Sequence, residues 1–546
     1  MEPINRSPSF GQSGRTMLQT CISSHTNCPK PSGTFIPTRL VEIRATKDQR
    51  MKARLIKTEA GRCYNYAALS YCWGGDQSYK TCAGNLTTYE DEIPFESLAL
   101  TIQHAIKEVS DLGIDYLWVD SLCIQQDNQT EKAVEISRMA DVYSEAAVTL
   151  LVQRAAHAAD GFMHGRNGCE GAVSLPLRVE DGITIRVGLL RGDSFSVKDY
   201  LRSRGWTLQE RLMSVRVIEY GDLQTKWTCM ETQRADGFGM NNDNSGSDIQ
   251  RYINYRGHAP KFGNCPSLVD HEKFSRNWRQ VVEDYSCRKL TDQADRLPAI
   301  AAIACGFASL LPENSRYVAG HWLDFLSSSL CWKVREITIF ESTGLGLEPR
   351  PEPATAPTWS WASVTTPNGI DMRPPAVSYP TTPPAVLVEI LSCTVSLRTL
   401  AAGPFGPASA GVLRIRGRTL RGKWVGPSLL EVDGGWNRPT IFRDALEPED
   451  SMVGDDCRFL NAVPVLLVIC QAVIFEDPTV LEGLVLRLTP SVSTPPLYSR
   501  IGVFTIYQQS MVNRLEINES GRYITKLSRV DTVDIEKCGL RDLTII

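Results

Sequence analysis

Glu210 is the acidic side chain whose neighbours in the chain offer the most chemistry. It closes the run Gly205-Trp206-Thr207-Leu208-Gln209-Glu210. If a helix begins at Trp206, residues three and four apart become neighbours, and Trp206, Gln209, Glu210 and Met213 fall on adjacent faces. A carboxylate held beside an indole suits cleavage of an N-glycosidic bond. The flat ring stacks against the leaving base, while the anion binds ribose hydroxyls and stabilises positive charge growing on the sugar. The structural alternative is an ion pair from Glu210 to Arg204, Arg211 or Arg216 that fixes the helix.

Two other runs end in groups that a ligand would use. Ser70, Tyr71 and Trp73 lie at the end of Tyr66-Ala67-Ala68-Leu69-Ser70-Tyr71-Cys72-Trp73, and Asp120, Ser121 and Cys123 follow Tyr116-Leu117-Trp118-Val119. Open parallel sheets bind ligands outside the carboxyl ends of their strands, where the strand order switches. Ser70, Tyr71, Trp73, Asp120, Cys123 and Trp206 are therefore candidate substrate-binding residues, with Glu210 the candidate catalytic one. On the opposing reading, Tyr71 and Trp73 only plug the sheet and Asp120 only caps a turn.

Hydrophobic period predicts the elements that must position these groups. Residues 1 to about 38 are rich in Ser, Thr, Gly and Pro without sustained period and read as a loose arm. Leu40 to Ile43 and Met51 to Ile56 form a small hairpin. Tyr66 to Trp73 is almost continuously apolar, as a parallel strand covered on both faces requires. Leu98, Ile102, Ala105, Ile106 and Val109 predict a helix from Ser97 to about Leu112, stopped by Gly113. A second buried strand covers Tyr116 to Val119. Asn128 to Ala146 reads as one helix, with Ala133, Ile136, Met139, Ala140 and Tyr143 on a shared face. Val148 to Val152 is a third strand. An insertion from Gln153 to Ser203 carries a hairpin, Ala172 to Val179 and Ile183 to Leu189. A helix from Trp206 to Met213 and a strand from Val215 to Tyr220 complete the unit. Strand and helix alternating over short connections predict a parallel sheet with right-handed crossovers.

Beyond it, residues 235 to 268 read as a mobile loop, Phe274 to Trp332 as helical, and the remainder as β-rich. The predicted organisation is a loose arm and hairpin over 1–62 and an α/β domain over 63–225. A loop and helical region over 226–347 and a β-rich region over 348–546 follow.

Composition excludes several classes. A net charge of −4 over 546 residues gives no support to a general nucleic-acid binder. The longest apolar runs, Leu297 to Leu311 and Val465 to Phe475, are too short to span a bilayer, and the N-terminus lacks a secretory apolar run. Sixteen scattered cysteines with no Cys-x-x-Cys pair suit buried thiols in a reducing cytoplasm. Cys21, His25 and Cys28 form an isolated cluster, and no metal is expected. Gly417 to Trp424 matches most of a phosphate loop, but Trp424 stands where Ser or Thr would hold magnesium, and no helix follows. Cys123 with His104 would make a thiol nucleophile, yet a cysteine between Leu122 and Ile124 reads as buried and inert.

Three blocks carry a family resemblance: Leu69-Ser70-Tyr71-x-Trp73-Gly74, Leu117-Trp118-Val119-Asp120-x-Leu122-Cys123-Ile124-x-Gln126 and Gly205-Trp206-Thr207-x-Gln209-Glu210. In order and spacing they resemble the HET (heterokaryon incompatibility) domain of filamentous fungi, over roughly residues 63 to 222. Tyr285, Trp322, Trp359 and Trp361 lie in segments like those that accompany this domain and are expected to pack. HET domains resemble TIR domains, which implies a flavodoxin-like sheet with helices on both faces. Some TIR domains cleave NAD with a glutamate in a Trp-containing helix after the third strand, the place of Glu210. The resemblance thus implies an intracellular protein of allorecognition, programmed cell death or defence, with no cofactor and NAD as a substrate. Self-association would shape the active site. The alternative is a non-catalytic module acting through an unidentified protein partner.

Overall fold

Alternating apolar residues fold Arg39–Ala45 (β1) against Met51–Lys57 (β2) as an antiparallel pair. The strands that follow meet a stricter demand. Tyr66–Ser70 (β3) is buried at every position, Tyr116–Trp118 (β4) at its last two, and Val148–Val152 (β5) at every position. Val173–Arg178 (β6) and Thr184–Leu189 (β7) form the inserted hairpin. Val217–Tyr220 (β8) is again buried throughout, and Thr225–Thr228 (β9) and Gln233–Ala235 (β10) close the series. In this computed structural model the described residues are 10–33, 35–45, 50–165, 173–178, 184–189, 198–236, 271–335, 347–372, 385–398, 403–426, 429–432, 439–445, 465–473, 479–489, 495–508, 511–517, 523–529 and 538–546. They divide into two units, Met1–Cys265 and Pro266–Ile546.

The first unit holds an eight-stranded sheet in the order β10-β9-β8-β5-β3-β4-β1-β2. Only its centre, β8-β5-β3-β4, is parallel. The β1–β2 hairpin joins β4 antiparallel, and β9 and β10 extend β8 in the same way. The sheet is thus mixed, not purely parallel as the alternation predicts, and it draws strands from outside the 63–225 segment. The strand order reverses at β3, which leads to β4 on one side while β5 pairs on the other.

With β4 and β5 on opposite sides of β3, the right-handed crossover rule requires Leu100–Asp111 on one face and the later helices on the other. Numbered along the chain, the helices of this unit are α1 (Gly11–Ser24), α2 (Leu86–Asp91), α3 (Leu100–Asp111), α4 (Asp120–Cys123), α5 (Gln129–Ser137), α6 (Met139–Glu145) and α7 (Trp206–Met213). Helix α1 packs on α3, and α6 on α7. The arm expected to be loose therefore contains a helix. Glu108, buried in the apolar stripe of α3, accepts the N–H groups of Phe10 and Gly11 at 3.0 Å. A carboxylate there satisfies orphan donors at the N-terminus of α1 and meets the positive end of its dipole.

The single helix expected over Asn128 to Ala146 is two helices with a break at Arg138. The Ser137 hydroxyl bonds the Val134 carbonyl at 2.7 Å, and the Arg138 N–H reaches Glu135 O at 3.1 Å. Such i→i−3 bonding tightens the turn and bends the helix. The break re-aims the faces, so Ala133 is exposed while Glu135, Met139, Val142 and Tyr143 are buried.

In the second unit His271–Ser286 is an amphipathic helix that buries Phe274, Trp278, Val281, Val282 and Tyr285. Trp278 meets Phe307, Tyr317 and Trp322 edge-on. Trp322, Trp359 and Trp361 are buried, and the Trp361 indole donates to Gly320 O at 2.9 Å. A nine-stranded sheet follows. Gly417 to Trp424 lies inside the strand Ala408–Gly426, so the phosphate-loop match has no loop. The loop expected over 235–268 falls almost wholly outside the described residues. No helix among the described residues is long and apolar enough to cross a membrane.

Arg500 and Asp444 form a fully buried ion pair at 2.8 Å. The guanidinium also lies 3.6 Å over the Trp332 ring and donates to the carbonyls of Leu330 and Trp332. Removing one partner of such a pair strands a charge in a low-dielectric interior. Asp444→Ala is expected to destabilise the second unit by about 3–5 kcal/mol, read as a lowered urea midpoint of that unit's transition.

Candidate functional site

Ser70 is the last residue of β3, at the point where the strand order reverses. Its Oγ donates to Oε2 of Glu210. Glu210 reaches it from α7, whose bounds, Trp206–Met213, coincide with those the period predicts. The Ser214 hydroxyl, just past α7, bonds the Glu210 carbonyl and Thr149 Oγ1, each at 2.7 Å. The backbone bearing the carboxylate is thereby tied to β5.

Glu210 is only 8 % exposed, and its carboxyl is pushed up to about 7. Burial is the main cause. The hydrogen bond from Ser70, the nearby Arg204 guanidinium and the Tyr143 hydroxyl, which itself donates to Leu69 O at 3.3 Å, oppose it, and the Asp120 charge adds to it. Arg204 itself donates to Tyr71 O at 2.6 Å. The other two arginines weighed as partners are engaged elsewhere. Arg211 pairs with Glu219 at 3.0 Å, and Arg216 bonds Cys21 Sγ and Pro29 O. Arg204 is therefore the guanidinium of the three that faces Glu210, and catalytic and structural readings share one residue pair.

Asp120 opens the short helix α4. It accepts from the Trp73 indole at 2.9 Å and from the Ser121 N–H at 2.7 Å. Burial holds its carboxyl above the usual range against the pull of Arg204 and the Trp73 bond. The Tyr71 hydroxyl donates to Ser121 Oγ at 2.9 Å. Ser70, Tyr71, Trp73, Asp120 and Glu210 thus stand in one hydrogen-bonded and charge-coupled group. Half-buried Trp206 opens α7 one turn before Glu210. Cys123 does not join: as the last residue of α4 it is fully buried with its Sγ 3.4 Å from the Val119 N–H, and burial pushes its thiol up to about 12. His104 is committed to the N–H groups of Phe162 and Met163.

Tyr143 and Arg204 are the members that sequence reading did not assign to the site. Tyr143 reads as one more core residue of a helix, and Arg204 as one of three basic residues near Glu210. Elsewhere in this unit Cys21, His25, Cys28 and Cys229 bring their ligand atoms within 4.8 Å of one another.

Residues 66–210 match the family described as Heterokaryon incompatibility protein (HET). This segment is a HET domain. The match begins on the first residue of β3 and ends on Glu210, so the HET domain contains the whole group just described. It covers well under half of the chain, and it brings a role related to heterokaryon incompatibility. No curated protein and no solved structure matches the chain.

The raised carboxyl of the HET domain makes stability depend on pH. Glu210 titrates near 4.5 when unconstrained and near 7 in place, so keeping it ionised costs about 3 kcal/mol. Its contribution is fully present below pH 4.5 and is lost as the pH rises through 7. Glu210→Gln is expected to match wild type in urea midpoint at pH 4.5 and to exceed it increasingly up to pH 8.

Proposed function

We propose that this protein acts in heterokaryon incompatibility, programmed cell death or a related defence response of a filamentous fungus. In this reading its HET domain hydrolyses the N-glycosidic bond of NAD. The observation that carries the reading is the Ser70–Glu210 contact at the strand switch point, where α/β sheets hold their ligands. Supporting it is the order of the parallel core, β4-β3-β5-β8. Counted along the chain this is 2-1-3-4, the beginning of the flavodoxin-like order and hence compatible with a TIR-like ancestry.

In the proposed reaction the C1′–N bond breaks with its electron pair going to the pyridinium nitrogen, and nicotinamide leaves neutral. Water adds to C1′ and gives its proton to the Glu210 carboxylate. A group with its midpoint at about 7 is suited to take that proton at cellular pH. Asp120, Trp73 and Trp206 would flank the nucleotide. Glu210 at 8 % exposure is covered, so substrate entry requires the rim to open, and self-association is the event we assign to opening it. Free thiols in both units suit a reducing cytoplasm.

That same cover favours a second reading, in which the rim is a rigid signalling surface for another protein and nothing is hydrolysed. Purified protein incubated with NAD separates the two. The enzymatic reading expects nicotinamide release that falls about 100-fold or more in Glu210→Ala, with the circular dichroism spectrum unchanged. No release by wild type at any protein concentration, with toxicity in a fungal host retained by Glu210→Ala, overturns it in favour of the second.

A further inference from the structure

Four side chains far from the Glu210 rim converge with the types and spacing of a metal centre. Cys21 lies in the last turn of α1, His25 is its C-terminal cap residue, and Cys28 follows three residues later. Cys229 comes from the residue after β9. His25 Nδ1 stands 3.5 Å from Cys28 Sγ and 3.5 Å from Cys229 Sγ. All four ligand atoms lie within 4.8 Å of one another. Tetrahedral zinc with Zn–S near 2.3 Å and Zn–N near 2.0–2.1 Å requires S···N edges of about 3.6 Å and S···S edges of about 3.8 Å. The observed S···N separations are those of a ligand set ready to close on an ion.

The surroundings are those of thiolates as well. The Thr232 N–H points at Cys229 Sγ at 3.3 Å, and its hydroxyl lies at 3.2 Å. The Arg216 guanidinium, buried at the base of the cluster, donates through Nε to Cys21 Sγ at 3.1 Å. Three thiolates, a neutral imidazole and a divalent ion sum to one negative charge, which that buried guanidinium balances. Such outer hydrogen bonds orient ligands and set their basicity. Glu231 adds a second tie between the same two segments by accepting the Asn27 N–H at 2.6 Å. The three cysteines are buried free thiols.

We propose that Cys21, His25, Cys28 and Cys229 bind a structural zinc ion that fastens the N-terminal helix to the turn between β9 and β10 at the edge of the sheet. All four coordination positions are filled by protein, so the site is closed and has no place for substrate. It stands apart from the proposed hydrolysis and holds whether or not that reading does.

The test is metal analysis of the full chain purified with reductant and dialysed after zinc loading. Wild type is expected to retain a single zinc, as is the control Cys63→Ser, whose thiol is exposed. Cys28→Ser and Cys229→Ser are expected to lose it. Should those variants fail to fold, cobalt exchange into wild type decides, with the intense visible bands of a tetrahedral thiolate–cobalt centre expected. Absence of both retained zinc and those bands, or a disulfide among these cysteines in the reduced preparation, overturns the proposal.

Discussion

A parallel strand with parallel neighbours on both sides has no face to leave in water, and β3 and β5 are such strands. Their residues are buried without exception, so both faces of the sheet must be covered. From that constraint follow the placement of α3 and α1 on one side and of α6 and α7 on the other. The antiparallel hairpins then extend the sheet beyond its parallel centre. The carboxyl end of β3 becomes the place where polar groups gather, because it is where the covering changes sides.

The gathered groups are held by compensation, not by solvent. Glu210 loses water, which favours the neutral acid, while Ser70, Tyr143 and Arg204 favour the anion. Burial outweighs them, so the carboxyl is pushed up to about 7. The same low dielectric that makes the group expensive to charge strengthens each bond to it. Asp120 is in a similar position, with Trp73 and Ser121 supplying its donors. Moving Arg204 would shift the balance at both carboxyls, since its charge acts on each.

The sequence exposed this arrangement where local period and global burial agree. Tyr66–Ser70, Val148–Val152 and Trp206–Met213 were readable because continuous apolar runs and a helical repeat leave few alternatives. Cys123 is fully buried, as its place between Leu122 and Ile124 predicts. Helix α1 was hidden because its buried face consists of Gly14, Leu18 and Cys21, a weak apolar stripe. Gly14 is there for close approach: a Cβ on it would come within 2.9 Å of Leu112. Arg138 broke a predicted helix through hydrogen bonds that propensity does not register. Cys229 gave no signal at all, since its companions lie some two hundred residues earlier and nothing local joins them.

That separation bears on how the chain is made. Helix α1 is synthesised before the sheet it packs against, yet the sulfur that completes its cluster comes 208 positions after Cys21. At translation rates of about 5–20 residues per second, the first segment waits roughly 10–40 s for that partner. During this interval the thiols of Cys21 and Cys28 stand without their enclosure, open to chaperones, oxidants and competing cations. The amino-terminal helix is thus the earliest part of this unit to be born and among the last to be finished.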